Sequence, residues 1–560
     1  MTQNWPPSPL PRTWRAPSGY VALPHWAQQH TEQARTQWSR TREERIHGLI
    51  RCGYAETLEE VQPWSALGEA LAAMADHLSP AEEGGEVPIW ELDLSGEIRR
   101  GFFRPAVSEP WETTDTDADS DPEQLTGGTA PGLRERTLGE VELPEHLLVN
   151  SVASYLGHPV TNAIGWTTVA PVTGSTPNWN KSEVRTLSWS GHTTSYERSR
   201  TAALVEGIER CVGALQSTGV STLAAGKDLP GRAITPNDFP AYPEDFYHHR
   251  GARYTENELH EWVRGRSLST DEPVWIPREY VFYGEQMSYR RWALSTSSGC
   301  ATGSSTTEAA LFGLLELLER DAFLTCWHGQ IPAQRIAPES LPGLVPVLAR
   351  ARLLGYEVET GLMPSPTGDP AAVAVASAPE IRAVGAACHP DPARAITQAV
   401  EEAWTYLPER VQVARKNPER IAEVTADPEK VTDIDDHPLV FVPGQDPRYD
   451  NFCGPAPAVP LNEASSDLTE FSSFSSARAL LDHLVGVLDR DGVEVYVYVQ
   501  TSEIERSLGL ETVMVIAPDL LPIDFGWGNQ RVLSSPRLAE LSQRFTGEAR
   551  EPLLLPHPFS

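Results

Sequence analysis

Two short stretches of this 560-residue chain repeat one arrangement of ionisable groups: Glu206, Glu209 and Arg210 in "VEGIER", and Glu316, Glu319 and Arg320 in "LLELLER". On a helix, a spacing of three places both carboxylates of a pair on one face. Four glutamates converging from two helices suit a hard divalent cation such as Mg2+, which takes oxygen ligands and bridges carboxylates to substrate phosphates. Two intrahelical Glu–Arg ion pairs at a helix–helix contact would account for the same residues without a ligand. At this level both readings stay open.

The elements that must carry these groups differ. In the first, Leu204, Ile208, Cys211 and Leu215 form one apolar stripe with the glutamates opposite, as in an ordinary amphipathic surface helix. In the second, Leu311, Leu314, Leu315, Leu318, Ala322 and Phe323 are joined by further apolar neighbours and leave almost no polar face. A helix apolar all round is buried, so Glu316 and Glu319 are expected to be buried and to need a partner, a proton or a cation. The run "STSSGCATGSSTTEAA" leads into this helix, with Ser305 or Thr306 as N-cap and Glu308 in the first turn. Small residues admit close backbone approach, and a helix N-terminus offers unsatisfied N–H donors to phosphate. It is not a Walker A loop, because Gly-Lys-Ser/Thr is missing.

With 45 Lys plus Arg against 77 Asp plus Glu, the formal charge of −32 repels phosphate backbones and anionic headgroups, which excludes nucleic acid and membrane surfaces as expected partners. The start, "MTQNWPPSPLPRTW", has neither the basic nor the apolar region of a signal peptide, and a cytoplasmic protein is expected. Six cysteines without a C-x-x-C pair suggest reduced, buried thiols and neither a zinc site nor disulfides; Cys300 reads as a packing residue.

Residues 1–13 are proline-rich and expected to be disordered. Residues 14–108 read as a small, mostly helical domain with one strand in "EVPIWELDL", a candidate for docking a partner, and 109–146 as an acidic linker. From 147 to 560, strand-like runs at 371–377, 493–500 and 511–517 alternate with helical ones at 198–216, 307–328, 392–407 and 475–490. Such mixing indicates one large α+β (mixed α/β) domain. "ADPEKVTDIDDHP" reads as a surface loop.

"SGCATGSSTTEAALFGLLELLERDAF" resembles the core motif of the YcaO family, and "SGHTTSYERSRTAALVEGIER" is similar to that family's first motif. "ACHPDPARAITQAVEEAW" and "PDLLPIDFG", followed by Arg531, resemble later segments, and "LLLPHPFS" resembles the Pro-rich tail of the azoline-forming branch. The resemblance runs from Leu147 to Ser560. It implies an ATP- and Mg2+-dependent cyclodehydratase acting on a ribosomally made precursor peptide. In that chemistry a Cys, Ser or Thr side chain attacks the preceding amide carbonyl, ATP phosphorylates the oxyanion, and loss of phosphate leaves a thiazoline or oxazoline. Carried over by position, Glu206, Glu209, Glu316 and Glu319 would hold Mg2+ and the phosphates, and Arg320 would contact phosphate. The loop from Ser298 to Ser304, with Glu308, would hold the nucleotide, the Ser560 carboxylate would serve as acid or base, and His557 would contact substrate. His192 stands in Gly191-His192-Thr193 where the family has Gly-Lys-Gly, so it replaces or forgoes a lysine contact. Glu402 is a weaker candidate for the site. The implied partners are a separate leader-binding E1-like (ThiF-like) protein and a flavin-dependent azoline dehydrogenase. Backbone thioamidation with external sulfide, and a catalytically silent peptide-binding scaffold, are the alternatives.

Overall fold

The computed structural model describes residues 13–16, 19–38, 41, 65–79, 81, 85–93, 95–105, 121–161, 168–179, 184–214, 221–284, 290–443, 456–464 and 473–559; Ser560, and residues 1–12 of the run expected to be disordered, lie outside them. Near the N-terminus four antiparallel strands pair in sequence order: β1 (Thr13–Ala16), β2 (Gly19–Ala22), β3 (Val87–Asp93) and β4 (Ile98–Phe103). Helix α1 (Ser65–Leu78) packs on them through Leu71, Ala72 and Ala75 against Tyr20, Ala22 and Trp90. The helical reading of this region misses most of that sheet. Only β3 lies in a segment read as a strand, since β1 and β2 are four residues each, too short for alternation to register.

The remainder is α+β, as expected. Strands β5 (Val160–Thr161), β6 (Ala170–Trp179) and β7 (Val184–Thr193) form an antiparallel sheet, and the chain turns from β7 directly into α2 (Tyr196–Ala214), which lies back across β6 and β7. Gly191 makes this possible: a Cβ there would sit 2.0 Å from the Ser199 carbonyl oxygen and 2.6 Å from the Ala203 nitrogen, so strand and helix backbones touch. A six-stranded sheet gathers β8 (Thr222–Ala225), β9 (Leu259–Ser267), β10 (Pro273–Pro277) and β11 (Cys300–Gly303) with two late strands, β16 (Tyr496–Val499) and β17 (Glu511–Ile516). Helix α3 (Thr306–His328) leaves β11 with Ser305 as its N-cap, accepting from the Glu308 amide at 3.3 Å.

A fourth sheet, also antiparallel, of β12 (Gln334–Ile336), β13 (Glu357–Met363), β14 (Ala371–Ser377) and β15 (Arg382–Cys388), carries α4 (Val345–Leu354) and α5 (Pro392–Lys416). Helix α5 continues nine residues past the expected end at 407, through Pro408. An interior proline costs about 3 kcal/mol; burial of Leu407, Val411 and Ala414 on both sides of it offsets that cost. Helices α6 (Ala477–Arg490) and α7 (Pro536–Thr546) pack against α3. Among the described residues no helix is long and apolar enough to cross a membrane. Cys211, Cys300, Cys326 and Cys388 are buried.

The expected acidic linker departs most from its reading. From residue 121 onward it is folded onto the start of α3: the Thr307 amide donates to Thr126 O (3.1 Å), the Arg478 amide to Gly128 O (2.8 Å) and the Gly132 amide to Ser475 O (2.8 Å). Few apolar residues are needed, because backbone hydrogen bonds attach the strap, and Gly127 and Gly128 take φ of 73° and 74° against Ser305 and Thr307.

The tail is ordered too. The Leu553 amide donates to His328 O (2.8 Å), His328 Nδ1 donates to Leu553 O (2.9 Å) and Trp327 Nε1 to Leu555 O (3.2 Å), so the tail runs along the end of α3. Burial pushes the His328 imidazole down to about 4 from its ordinary 6.5. The unfolded chain therefore binds a proton that the folded one refuses, and this residue lowers stability as pH falls from about 6.5 to about 4. Asparagine, whose amide nitrogen can replace Nδ1, has no such penalty. In urea titrations across this range, wild type is expected to lose about 3 kcal/mol relative to H328N.

Candidate active site

The two Glu-x-x-Glu-Arg segments come together, and a fifth carboxylate joins them. Each glutamate is anchored on a backbone N–H of a neighbouring strand or loop. Glu206 of α2 accepts from Ser190 (3.1 Å), Glu209 from Thr302 (3.0 Å), Glu316 of α3 from Gly299 (3.1 Å) and Glu402 of α5 from Ala386 (2.9 Å). Glu319 accepts from the backbone of Cys388. Gly385 on β15 repeats the device of Gly191, with a Cβ position 2.2 Å from the Ala399 carbonyl oxygen, and so brings α5 down onto its strand. The first helix is thus not a surface helix. The face opposite its apolar stripe looks into the protein, where Glu209 feels the charges of Glu206 and Glu316.

Both intrahelical ion pairs exist: Arg210–Glu206 at 3.2 Å, and Arg320–Glu316 and Arg320–Glu319 at 3.3 and 2.9 Å. They do not balance the cluster, since these two arginines face five carboxylates. Burial pushes Glu209 up to about 8, Glu319 to about 7 and Glu402 to about 8, with neighbouring carboxylates adding to the effect on each. A set of oxygen donors short of positive charge is the chemistry a divalent cation would complete. Among the described residues no three acidic, thiol or imidazole side chains are grouped as a ready-made metal site. Mg2+ does not require one, because it is commonly held by one or two carboxylates together with phosphates and water. The residues therefore fit the ion as part of a nucleotide complex.

A cavity of about 1050 Å3 opens beside this cluster. Glu206, Arg210, Glu316 and Arg320 line it, with hydroxyls from Ser297, Ser298, Tyr283 and Tyr406. Val160 and Ile434, 56% and 43% exposed, lie on its rim, and Phe525 and Phe559 supply an aromatic wall. One side can take phosphates and the other an apolar peptide segment.

The remaining expected residues divide. Ser298 lines the cavity. His192 on β7 feels the charge of Glu206; burial holds its imidazole below the ordinary value, and its Nδ1 has no hydrogen-bond partner. Ser304 and Glu308 are not among the cavity-lining residues. The strap takes both: Arg136 Nε donates to Ser304 Oγ (3.1 Å), while Arg134 Nη1 (3.1 Å) and the Glu135 amide (3.0 Å) donate to the Glu308 carboxylate. Arg134 also stacks over Phe312 at 3.8 Å. Glu308 is 1% exposed, so R134A leaves a buried carboxylate short of a donor and is expected to lower stability by about 1–3 kcal/mol in thermal melts. His557 does not contact the cavity either. It is fully buried behind Phe559, where it anchors the tail. Cys300 packs as expected, its Sγ 3.4 Å from Gln500 Oε1. In the sequence Glu402 stands out only weakly, and Tyr406 and Arg134 do not stand out on their own. Tyr406 stands one turn after Glu402 on the same face, and the basic pair in "GLRER" interrupts an acidic stretch, so both left a trace.

The model of a family described as YcaO cyclodehydratases, ATP- and Mg2+-binding, matches residues 190–521, more than half of the chain and every element that carries the five glutamates. The chain belongs to the YcaO family. Two solved heterocyclases share the fold of this YcaO protein. One, in complex with substrate and cofactor, is 16% identical, with a TM-score of 0.69, over 94% of this chain and 74% of that one. The heterocyclase TruD is 17% identical, with a TM-score of 0.59, over 93% and 70%. An uncharacterized protein of Methanothermobacter thermautotrophicus is 24% identical over 223 residues, 38% of this chain. The match spans only about half of that relative, 55% of its length.

Proposed function

We propose that this YcaO protein is an ATP-dependent peptide cyclodehydratase that converts Cys, Ser or Thr residues of a ribosomally made precursor into thiazoline or oxazoline rings. The side-chain sulfur or oxygen adds to the preceding carbonyl carbon and gives up its proton. The former amide oxygen takes the γ-phosphoryl group of ATP and departs as phosphate, and loss of the amide proton leaves the C=N bond. Each ring consumes one ATP and removes one water from the peptide. The observation that carries this reading is the convergence of five carboxylates and two arginines from three helices, with Glu206, Glu316 and both arginines lining one cavity.

Glu206, Glu209, Glu316 and Glu319 would hold Mg2+, which supplies the positive charge that makes a polyphosphate acceptable beside glutamates. Arg320 and Arg210 would donate to the phosphate oxygens, where charge moves as the phosphoryl group transfers. Ser298, with its small neighbours, lets the nucleotide approach the backbone, and His192 feels the charge of Glu206. Glu402 presses on Glu319 and Arg320 from α5 and completes the electrostatic setting. The apolar rim would receive the peptide, and a separate leader-binding protein is the partner this reading calls for. The test is mass spectrometry of Cys-rich and Ser-rich precursor peptides incubated with the protein, its partner and Mg-ATP. Loss of one water per ring with matching release of ADP supports the proposal. ATP consumption that leaves every peptide mass unchanged overturns it.

A further inference from the structure

Behind the aromatic wall of the cavity lies a group of buried imidazoles that the proposed reaction does not use: His328, His437 and His557. His437 falls at the end of the run expected to be a surface loop, yet it is fully buried. Its Nδ1 lies 2.7 Å from the carbonyl oxygen of His557, and the amide nitrogen of Gly526 lies 2.8 Å from its Nε2. A carbonyl can only accept and a backbone N–H can only donate, so the ring is neutral with its proton on Nδ1. Burial, which pushes its pKa down to about 4, keeps it so through the neutral range.

The ring also stacks on His557 at 4.2 Å and meets Phe525 edge-on at 5.5 Å. His557 in turn donates from Nε2 to the Asp524 carbonyl (2.9 Å). Two imidazoles therefore join the 524–526 turn to the tail, His437 through Gly526 and the His557 carbonyl, and His557 through Asp524. Two residues beyond His557, Phe559 lies over the Arg320 guanidinium at 4.0 Å and against Phe323 at 5.2 Å. Phe525 and Phe559, which this junction holds, are both cavity-lining residues, and Arg320 is the cation paired with Glu316 and Glu319.

We infer that His437 is a positioning residue: its Nδ1–H holds the His557 carbonyl so that Phe559 covers Arg320 and closes that side of the cavity. This deepens the cyclodehydratase reading and rests on it. Released from His437, the tail exposes Arg320 to water and loosens the wall against which the reacting amide lies. Ring formation falls, while nucleotide binding persists, because Glu316 and Glu319 hold Arg320 on α3 whether or not Phe559 covers it.

Two near-isosteric substitutions separate this role from simple core filling. In H437N the amide nitrogen takes the place of Nδ1 and keeps the bond to His557, whereas in H437Q the side-chain oxygen takes the place of Nε2 and keeps only the bond to Gly526. Both lose one hydrogen bond. Three quantities are measured for each: the melting temperature, amide hydrogen exchange of the tail peptide 551–559, and kcat and KM for ATP and precursor. The expected result is similar melting temperatures, faster tail exchange in H437Q alone, and a kcat for ring formation at least tenfold lower in H437Q than in H437N with KM for ATP unchanged. Equal exchange and equal kcat in the two variants, whether both impaired or both like wild type, overturn the role of His437. A wild type that cyclises no peptide while the exchange difference persists overturns the cyclodehydratase reading instead.

Discussion

Glu316→Gln is expected to abolish Mg2+-dependent ATP turnover while the protein stays folded. Glu316 accepts the Gly299 amide and an Arg320 N–H and lines the cavity; its charge raises the protonation of Glu209 and Glu319 alike. Glutamine retains an acceptor for Gly299 and removes a negative charge from a cluster with too many. Stability should therefore shift by less than about 1 kcal/mol, the usual range for a change that creates no cavity and strands no buried group. Loss of a cation ligand beside the transferring phosphoryl group is different in kind, because preorganised charge at that position is worth on the order of 10²–10³ in rate. Coupled-assay turnover and thermal melting on the same preparation read the two effects separately. A stable E316Q protein with wild-type turnover would remove Glu316 from the site.

Phe559→Ala should stop ring formation as firmly, by a route that passes through Arg320. Phe559 is 4% exposed, and its ring covers the guanidinium at 4.0 Å. Truncation of a buried phenylalanine costs about 3–5 kcal/mol, so alanine alone would confuse unfolding with loss of function. Phe559→Leu fills most of the space and removes only the contact between ring and cation, worth about 0.5–2 kcal/mol. The expected order of ring-forming kcat is wild type, then Leu, then Ala, the last reduced on the order of 10²-fold as the reacting groups lose alignment. Nucleotide affinity should stay near wild type in the leucine variant. Undiminished cyclisation by a folded F559A protein would make the tail a structural strap only.

The sequence made the middle of the molecule legible because its helices are long and their patterns strong. Helices α2, α3 and α6 begin and end within two residues of the helical runs read from the sequence. What periodicity could not supply is what lies opposite a polar face. Glu206 and Glu209 sit where an amphipathic helix meets solvent, and only the approach of α3 turns that side inward. Glu402 is the weaker candidate in the sequence because it adjoins Glu401, and adjacent glutamates on a helix usually point outward; the close contact at Gly385 is what draws it onto β15. The strap at 126–136 lies within 109–146, which reads as a linker for lack of apolar residues, yet backbone bonds attach it and Arg134 neutralises Glu308. His437 and His557 sit among prolines and acidic residues that suggest a surface, and their burial depends on contacts more than a hundred residues apart. Of the four-stranded N-terminal sheet only β3 is legible in the sequence, and β1 and β2 escape because they are four residues long.

Whether these carboxylates form a Mg-nucleotide site is decided by calorimetric titration of ADP into wild type, E209Q and E316Q with and without Mg2+. The wild type is expected to bind one nucleotide per chain, only when Mg2+ is present, and both variants to bind it at least tenfold more weakly. Nucleotide that binds equally without Mg2+, or equally to all three proteins, would contradict such a site.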